Sequence, residues 1–343
     1  MKLLFILGFL FSTAVYAAEE NVLNLYTWSG VIPEFAIQQF EKETGIKVNF
    51  STYDSNEIMY AKLKAAKNPG YDVIEPSSYY IDRMRRQDML LKIDQSKLPH
   101  FKNLDPEFLN KNHDPHNNYS IPFIWGTTGI FVNTHNYPAN SISRWTDIWD
   151  KKYENQLMLL DDSREVFSMA LITLGYSVND SNPEHIRQAY LKLKELLPNI
   201  KVFKSDGVIT ILIDEDITVG MVWNGDLYKS QRENPNLVFT YPKDGFLIWV
   251  DSFAIPKNAP HSENAYRFIN FMLRADVAKA ISLSNNYPTP NLAAKKILPR
   301  ELRENATVYP SHETLRRGHY QMDISDEALE LYEMYWEKLK MEG

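Results

Sequence analysis

Over residues 22–75, short apolar runs that read as strands alternate with runs of helical period, and nothing else in the chain limits its fold as much. Val22–Trp28 reads as a strand. Pro33 opens a helix with Phe35, Ala36, Ile37 and Phe40 inward, and Gly45 ends it. Ile46, Val48 and Phe50 alternate as a second strand. Asp54 and Glu57 form a capping box for a helix over 55–67. Residues 71–75 read as a third strand, broken by Pro76-Ser77-Ser78. Strands joined by helices predict a parallel α/β sheet, and ligands of such sheets gather beyond the carboxyl ends of the strands. Trp28, Ser77 and Tyr79 fall there.

The pattern repeats further on. Residues 95–119 are rich in Asn, Asp, Pro and His and read as loop with a short helix. His113 and His116 lie in it three apart. That spacing suits a metal pair only on a helix, and Pro115 argues against one, so a solvated loop is expected and no metal. Residues 121–133, with Gly126 and Gly129, read as an extended crossing. A second α/β unit has strands at 157–160, 218–223 and 237–241 and helices at 164–174 and 182–197, with Asn224-Gly225-Asp226 as a turn. Residues 247–255 carry the chain back, and helices at 262–273, 276–282, 291–297 and 326–340 finish it. A chain of 343 residues exceeds one small core. Two lobes are expected, 20–125 plus 252–297 and 130–247 plus 298–343, with crossovers at 126–129 and 248–251 and a ligand cleft between them.

Lys2, an apolar run over residues 3–14 and the small-residue end Val15-Tyr16-Ala17 read as a secretory signal peptide over 1–17, cleaved after Ala17 or Ala18. The run is too short to span a bilayer. An exported, soluble mature protein is expected. The chain contains no cysteine, which removes disulfides and thiol chemistry. Its net charge of −7 argues against nucleic acid as a partner.

Residues 247–256 form a buried-strand pattern closed by Pro256, yet they carry Asp251. Residues two apart on a strand share a face, so Trp249 and Asp251 do. An indole wall beside a carboxylate suits an alkylammonium ion: the ring attracts the cation and the carboxylate pairs with it. The plainer reading is that Asp251 only accepts hydrogen bonds from nearby backbone. Asp162 and Glu165 lie between a strand and a helix, where they read first as N-cap and capping-box partner and second as ammonium ligands. Trp223 and Asp226 repeat the indole–carboxylate pairing. Tyr287 sits in the rigid run Tyr287-Pro288-Thr289-Pro290-Asn291 and can face a cleft. The chain has no phosphate-binding Gly-rich loop, no His-Glu-x-x-His and no Gly-x-Ser-x-Gly. A carboxylate-pair glycosidase is the rival from another class. Ligand charge separates the two, because a sugar site tolerates neutral ligands and a cage of acids and indoles requires a cation.

Longer stretches carry a resemblance. Glu43-Thr44-Gly45-Ile46-Lys47-Val48, Ser51-Thr52-Tyr53, Met59-Tyr60-Ala61-Lys62-Leu63-Lys64, Asn103-Leu104-Asp105-Pro106, Trp223-Asn224-Gly225 and Tyr287-Pro288-Thr289-Pro290-Asn291-Leu292-Ala293-Ala294 are similar to the periplasmic spermidine/putrescine-binding proteins of bacterial polyamine ABC importers. The resemblance covers about residues 20–340. It implies a two-lobed periplasmic solute-binding fold of type II, a polyamine ligand, delivery to a membrane permease, a monomer, no cofactor and no catalysis. Another cationic ligand or a sugar is the alternative within the same fold. The ligand positions it implies are Trp28, Ser29, Ser77, Tyr79, Asp162, Glu165, Ser205, Trp223, Trp249, Asp251, Tyr287 and Gln321. After the first Trp the family has a small polar residue, an acid and a tyrosine. This chain reads Ser29-Gly30-Val31, without the acid or the phenol. Asp226 stands where spermidine-type relatives carry a small residue and putrescine-type relatives a ligand-binding aspartate.

Overall fold

The computed structural model describes residues 20–66 and 70–343. The signal peptide expected over 1–17 and the last residue of the helix expected over 55–67 lie outside the described residues. The chain opens as β1 (Val22–Trp28), α1 (Glu34–Thr44), β2 (Lys47–Tyr53), α2 (Asn56–Ala65), β3 (Val73–Ile74) and α3 (Ser78–Arg86). The three strands form a parallel sheet in the order β2-β1-β3. Trp28 lies opposite Tyr53 at its carboxyl edge. Gly45 ends α1 in the left-handed conformation at φ 72°, as a helix C-terminus favours.

Some sequence expectations are corrected here. Ala36, Ile37 and Phe40 are buried, but Phe35 is exposed, because it lies off the stripe those three define on α1. Phe50 is also exposed, on the outer strand of the sheet. The cap of α2 is Ser55, which accepts from Ile58 N–H at 3.2 Å, not Asp54. Glu57 is then free of a capping role, and it accepts from the Tyr80 hydroxyl at 3.3 Å. Residues 95–119 form four short 3₁₀ turns. His116 is exposed, but His113 is buried, and burial lowers its pKa to about 4, so it is neutral. Among the described residues no group of histidine and acidic side chains has metal-binding geometry.

The rest follows as β4 (Ile121–Asn133), β5 (Leu157–Leu159), α4 (Ser163–Thr173), α5 (Pro183–Leu196), β6 (Ile200–Phe203), α6 (Val208–Ile213), β7 (Val219–Trp223), α7 (Asn224–Gln231), β8 (Leu237–Thr240) and β9 (Phe246–Phe253). Then come α8 (Ser262–Met272), α9 (Ala275–Asn285), α10 (Leu292–Ile297), β10 (Gly318–Tyr320) and the C-terminal helix Asp326–Glu342. The second sheet has the order β10-β9-β4-β7-β5-β6, with β8 also on β4. It is mixed rather than parallel, because β4 runs antiparallel to β7, β8 and β9. Asn224-Gly225-Asp226 is the first turn of α7, not a strand-ending turn.

The fold has two lobes. One core gathers Leu23, Leu25, Phe40, Ile121, Ile124, Phe253 and Phe268. Another gathers Ile130, Trp145, Leu157, Phe167, Leu193 and Trp336. Strand β4 contributes to both, and it is buried along all 13 residues. It pairs with β9 from Ile121↔Phe253 to Thr128↔Leu247. The end of β9 reaches the first sheet through the bridges Ile74↔Ala254 and Ser77↔Asp251. Away from the strands, Arg83 on α3 donates to Asp323 Oδ1 at 2.9 Å and to the Ile324 carbonyl at 3.1 Å, and it pairs with Asp326.

Candidate functional site

The strand ends supply the site. Asp251 is buried near the end of β9. Its Oδ1 accepts from the Ser77 hydroxyl at 2.6 Å. Burial lifts its carboxyl to about 7, against the lowering effect of that hydroxyl. Asn56, at the start of α2, organises this corner. Its Nδ2 donates to Ser77 Oγ and to Tyr79 OH, each at 3.0 Å, and its Oδ1 accepts from Ser77 N–H at 3.1 Å. With its lone pair engaged by Asn56, the Ser77 hydroxyl turns its proton to Asp251. The reading of Asp251 as a mere backbone acceptor does not describe it, because it accepts from this side chain.

Across from it, Asp162 caps α4 and accepts from Glu165 N–H at 2.9 Å. The capping reading is therefore half right. Glu165 does not return the favour. It is buried, and its Oε1 accepts from Thr128 Oγ1 at 3.0 Å and from Trp223 Nε1 at 3.3 Å. Its Oε2 is buried with no hydrogen-bond partner among the described residues. Burial, followed by the Asp162 carboxyl and more weakly Asp251, lifts Glu165 to about 8. Asp162 has the Arg164 guanidinium nearby, but Glu165 and Asp251 are short of a counter-charge, and a buried carboxylate without one is costly.

Aromatic side chains wall the same space. The Trp249 and Tyr287 rings meet edge to face with centroids 5.3 Å apart. The Tyr287 hydroxyl lies beside the Asp226 carboxyl and lowers its pKa. Burial lifts Asp226 to about 6 despite that neighbour. Two glycines make room for the rings. A Cβ at Gly126 would strike the Trp249 ring, and one at Gly225 would meet Tyr287 Cγ at 2.7 Å. Trp28 leans on Tyr53 with ring centroids 4.9 Å apart. The indole N–H groups of Trp28 and Trp249 are buried without partners among the described residues.

Three of the expected residues also hold bonds within the protein. The Ser205 hydroxyl accepts from Asp161 N–H at 3.0 Å, which sets it beside the start of α4. Gln321 is buried and donates to Ser168 Oγ at 3.4 Å. Ser29 is exposed and donates its backbone N–H to Tyr53 O at 3.0 Å. Sequence reasoning passed over Asn56, Thr128 and Arg164. Arg164 is 2% exposed, with its guanidinium 5.3 Å from the Tyr79 ring centroid and 5.6 Å from that of Tyr332. Its place between Ser163 and Glu165 at a strand end was the available signal.

Residues 36–307 match the model of the bacterial extracellular solute-binding protein family, and the chain belongs to that family. It is 47% identical over 328 residues to the spermidine/putrescine-binding periplasmic protein of Salmonella typhimurium, covering 96% of this chain and 94% of that one. It is 35% identical to the putrescine-binding periplasmic protein of Escherichia coli, again over 96% of this chain and 94% of that one. Among solved structures, it is similar to the spermidine/putrescine ABC transporter substrate-binding protein of Streptococcus pneumoniae, with TM-score 0.80, 36% identity and 94% and 99% of the two chains covered.

Proposed function

We propose that this chain binds linear polyamines, putrescine and spermidine, in the periplasm and hands them to the permease of an ABC importer, without turnover. The observation that carries this reading is the pair of buried acids, Asp251 and Glu165, each lifted by burial, short of counter-charge, and set among Trp223, Trp249 and Tyr287. An ammonium group at either end of a ligand supplies the missing charge, and the rings cover the methylenes between. A neutral sugar supplies no such charge. The names of the relatives support the same ligand class. No helix among the described residues is long and apolar enough to cross a membrane, which is compatible with export through the segment 1–17. In this reading the lobes are 20–125 plus 252–297 and 130–247 plus 298–343. The paired strands β4 and β9 pass between them, and the ligand draws them together. Trp28, Ser29, Ser77, Tyr79, Asp162, Ser205 and Gln321 complete the contact set.

Asp226 belongs to the same set and favours the shorter diamine. Its carboxyl sits with Tyr287 at one side of the site. At the Trp28 side, Gly30 and Val31 offer no acid for a longer triamine to reach. Calorimetry of the mature protein with putrescine, cadaverine, spermidine, spermine and a neutral sugar tests both statements. One-to-one amine binding is expected, with putrescine at least comparable to spermidine and weakened in Asp226→Ser. Sugar binding without amine binding removes the functional reading. Unchanged putrescine affinity in Asp226→Ser removes Asp226 alone.

A further inference from the structure

Glu75 has no part in the site described above. It follows β3, is 0% exposed, and neither of its carboxyl oxygens has a hydrogen-bond partner among the described residues. A chain gains nothing in stability from burying such a group.

The strand register fixes its direction. Residues 74–77 extend antiparallel along the end of β9, through the bridges Ile74↔Ala254 and Ser77↔Asp251. Ile74 and Ala254 exchange both backbone hydrogen bonds at 2.9 Å, and Ser252 N–H donates to Pro76 O at 3.1 Å. Residues two apart on a strand share a face, as do residues directly opposite on an antiparallel pair. Glu75 therefore shares its face with Ser77 and with Asp251, its diagonal neighbour. The titratable groups that face Glu75 are Asp251 on β9 and Tyr53 on β2, whose hydroxyl donates to the Glu75 carbonyl at 2.5 Å. Neither acid has an ion-pair partner among the described residues, and Asp251 is held by the neutral Ser77 hydroxyl.

We propose that Glu75 and Asp251 together seat one primary ammonium group of the ligand, and that Glu75 releases its proton to solvent as the ammonium enters. The step balances: a carboxylic acid and an alkylammonium ion become a carboxylate–ammonium pair and one free proton. Without a cation, burial and the neighbouring Asp251 hold the Glu75 carboxyl well above the usual range, so it carries its proton. Two carboxylates in one dry place do not both ionise without a counter-charge, and one cation relieves both. An ammonium group has three donors, enough for the free Asp251 oxygen and for Glu75.

This assignment rests on the amine reading of the site. Its test is titration calorimetry with putrescine on the wild type, Glu75→Gln and Glu75→Leu, each in two buffers of different ionisation enthalpy, with melting temperatures of the ligand-free proteins. The wild type is expected to release protons on binding. Both variants should release fewer, and should bind about tenfold more weakly, as for a lost charge-assisted hydrogen bond. Ligand-free Glu75→Leu should melt at or above the wild-type temperature, since it buries no orphan carboxyl. Wild-type affinity and proton release in both variants overturn the role of Glu75 and leave the amine reading standing. A wild type that binds no amine overturns both. Weak binding in Glu75→Leu alone, with a lowered melting temperature and a wild-type Glu75→Gln, also overturns it.

Discussion

At Asp251 one neighbouring hydroxyl decides how much of a buried carboxylate is left for a ligand. Ser77 takes Oδ1 at 2.6 Å, and the second oxygen remains available to an ammonium. Replacing the acid and replacing its partner should therefore differ in cost. Asp251→Asn removes a charge-assisted pair and is expected to weaken putrescine binding by about 1.5–3 kcal/mol, against about 1 kcal/mol for Ser77→Ala. Calorimetry on the two variants, with melting curves as a control of folding, checks the order. The indole and the acid two residues apart on one strand were legible in the sequence, because strand period alone puts them on one face. Asn56 was not. It stands in the first turn of a helix, where asparagine is unremarkable, and its three hydrogen bonds to Ser77 and Tyr79 exist only because the starts of α2 and α3 meet. Asp162 was read first as a cap, and it is one. What local pattern could not show is that Glu165 turns from the cap to Thr128 and Trp223, residues of β4 and β7.

The elements that were legible are the long periodic ones. β1, β4, α1, α4, α5 and the C-terminal helix lie within a residue or two of their expected bounds. α3 was missed although Tyr80, Ile81 and Met84 form an apolar stripe on it, because four of its nine residues are charged and two of those, Asp82 and Arg83, are themselves buried. β6, α6 and β10 are too short to show a period. Packing between elements sets the aromatic wall. α7 approaches the loop that carries Tyr287 so closely that only glycine fits at position 225. Gly225→Ala is expected to push the Tyr287 ring away from its place beside Asp226 and weaken diamine binding several-fold. Calorimetry measures the affinity. Near-ultraviolet circular dichroism reports the displaced ring, and an unchanged signal with unchanged affinity would contradict this packing.

Across the whole molecule the raised acids add up to a pH dependence. Glu165, Asp251 and Asp226 titrate at about 8, 7 and 6 in the folded protein, against about 4 for carboxyls of an unfolded chain. Between those limits the folded state holds more protons than the unfolded one. Their contribution to stability is full below about pH 4 and is lost as pH rises through 6 to 8. The melting temperature of the ligand-free protein should therefore fall between about pH 5 and pH 8, and saturating putrescine should reduce that fall. Differential scanning fluorimetry across this range checks it, and a ligand-free curve that rises instead would contradict the assignment. Surface acids held low, such as Glu184 beside Arg187, act only below this window. The two-sheet α/β plan was legible from alternation, but the mixed second sheet was not, because strand direction depends on where β4 enters. That entry also orders events in time. Ser77 and Asp251 are 174 residues apart in the chain. A polypeptide that emerges amino end first cannot complete the backbone pairing of Ile74 until Ala254 has followed it. The bridges Ile74↔Ala254 and Ser77↔Asp251 must wait for most of the chain, and the loop they close carries a correspondingly large entropic cost. The corner built from Ser77 and Asp251 is then among the last pieces to assemble.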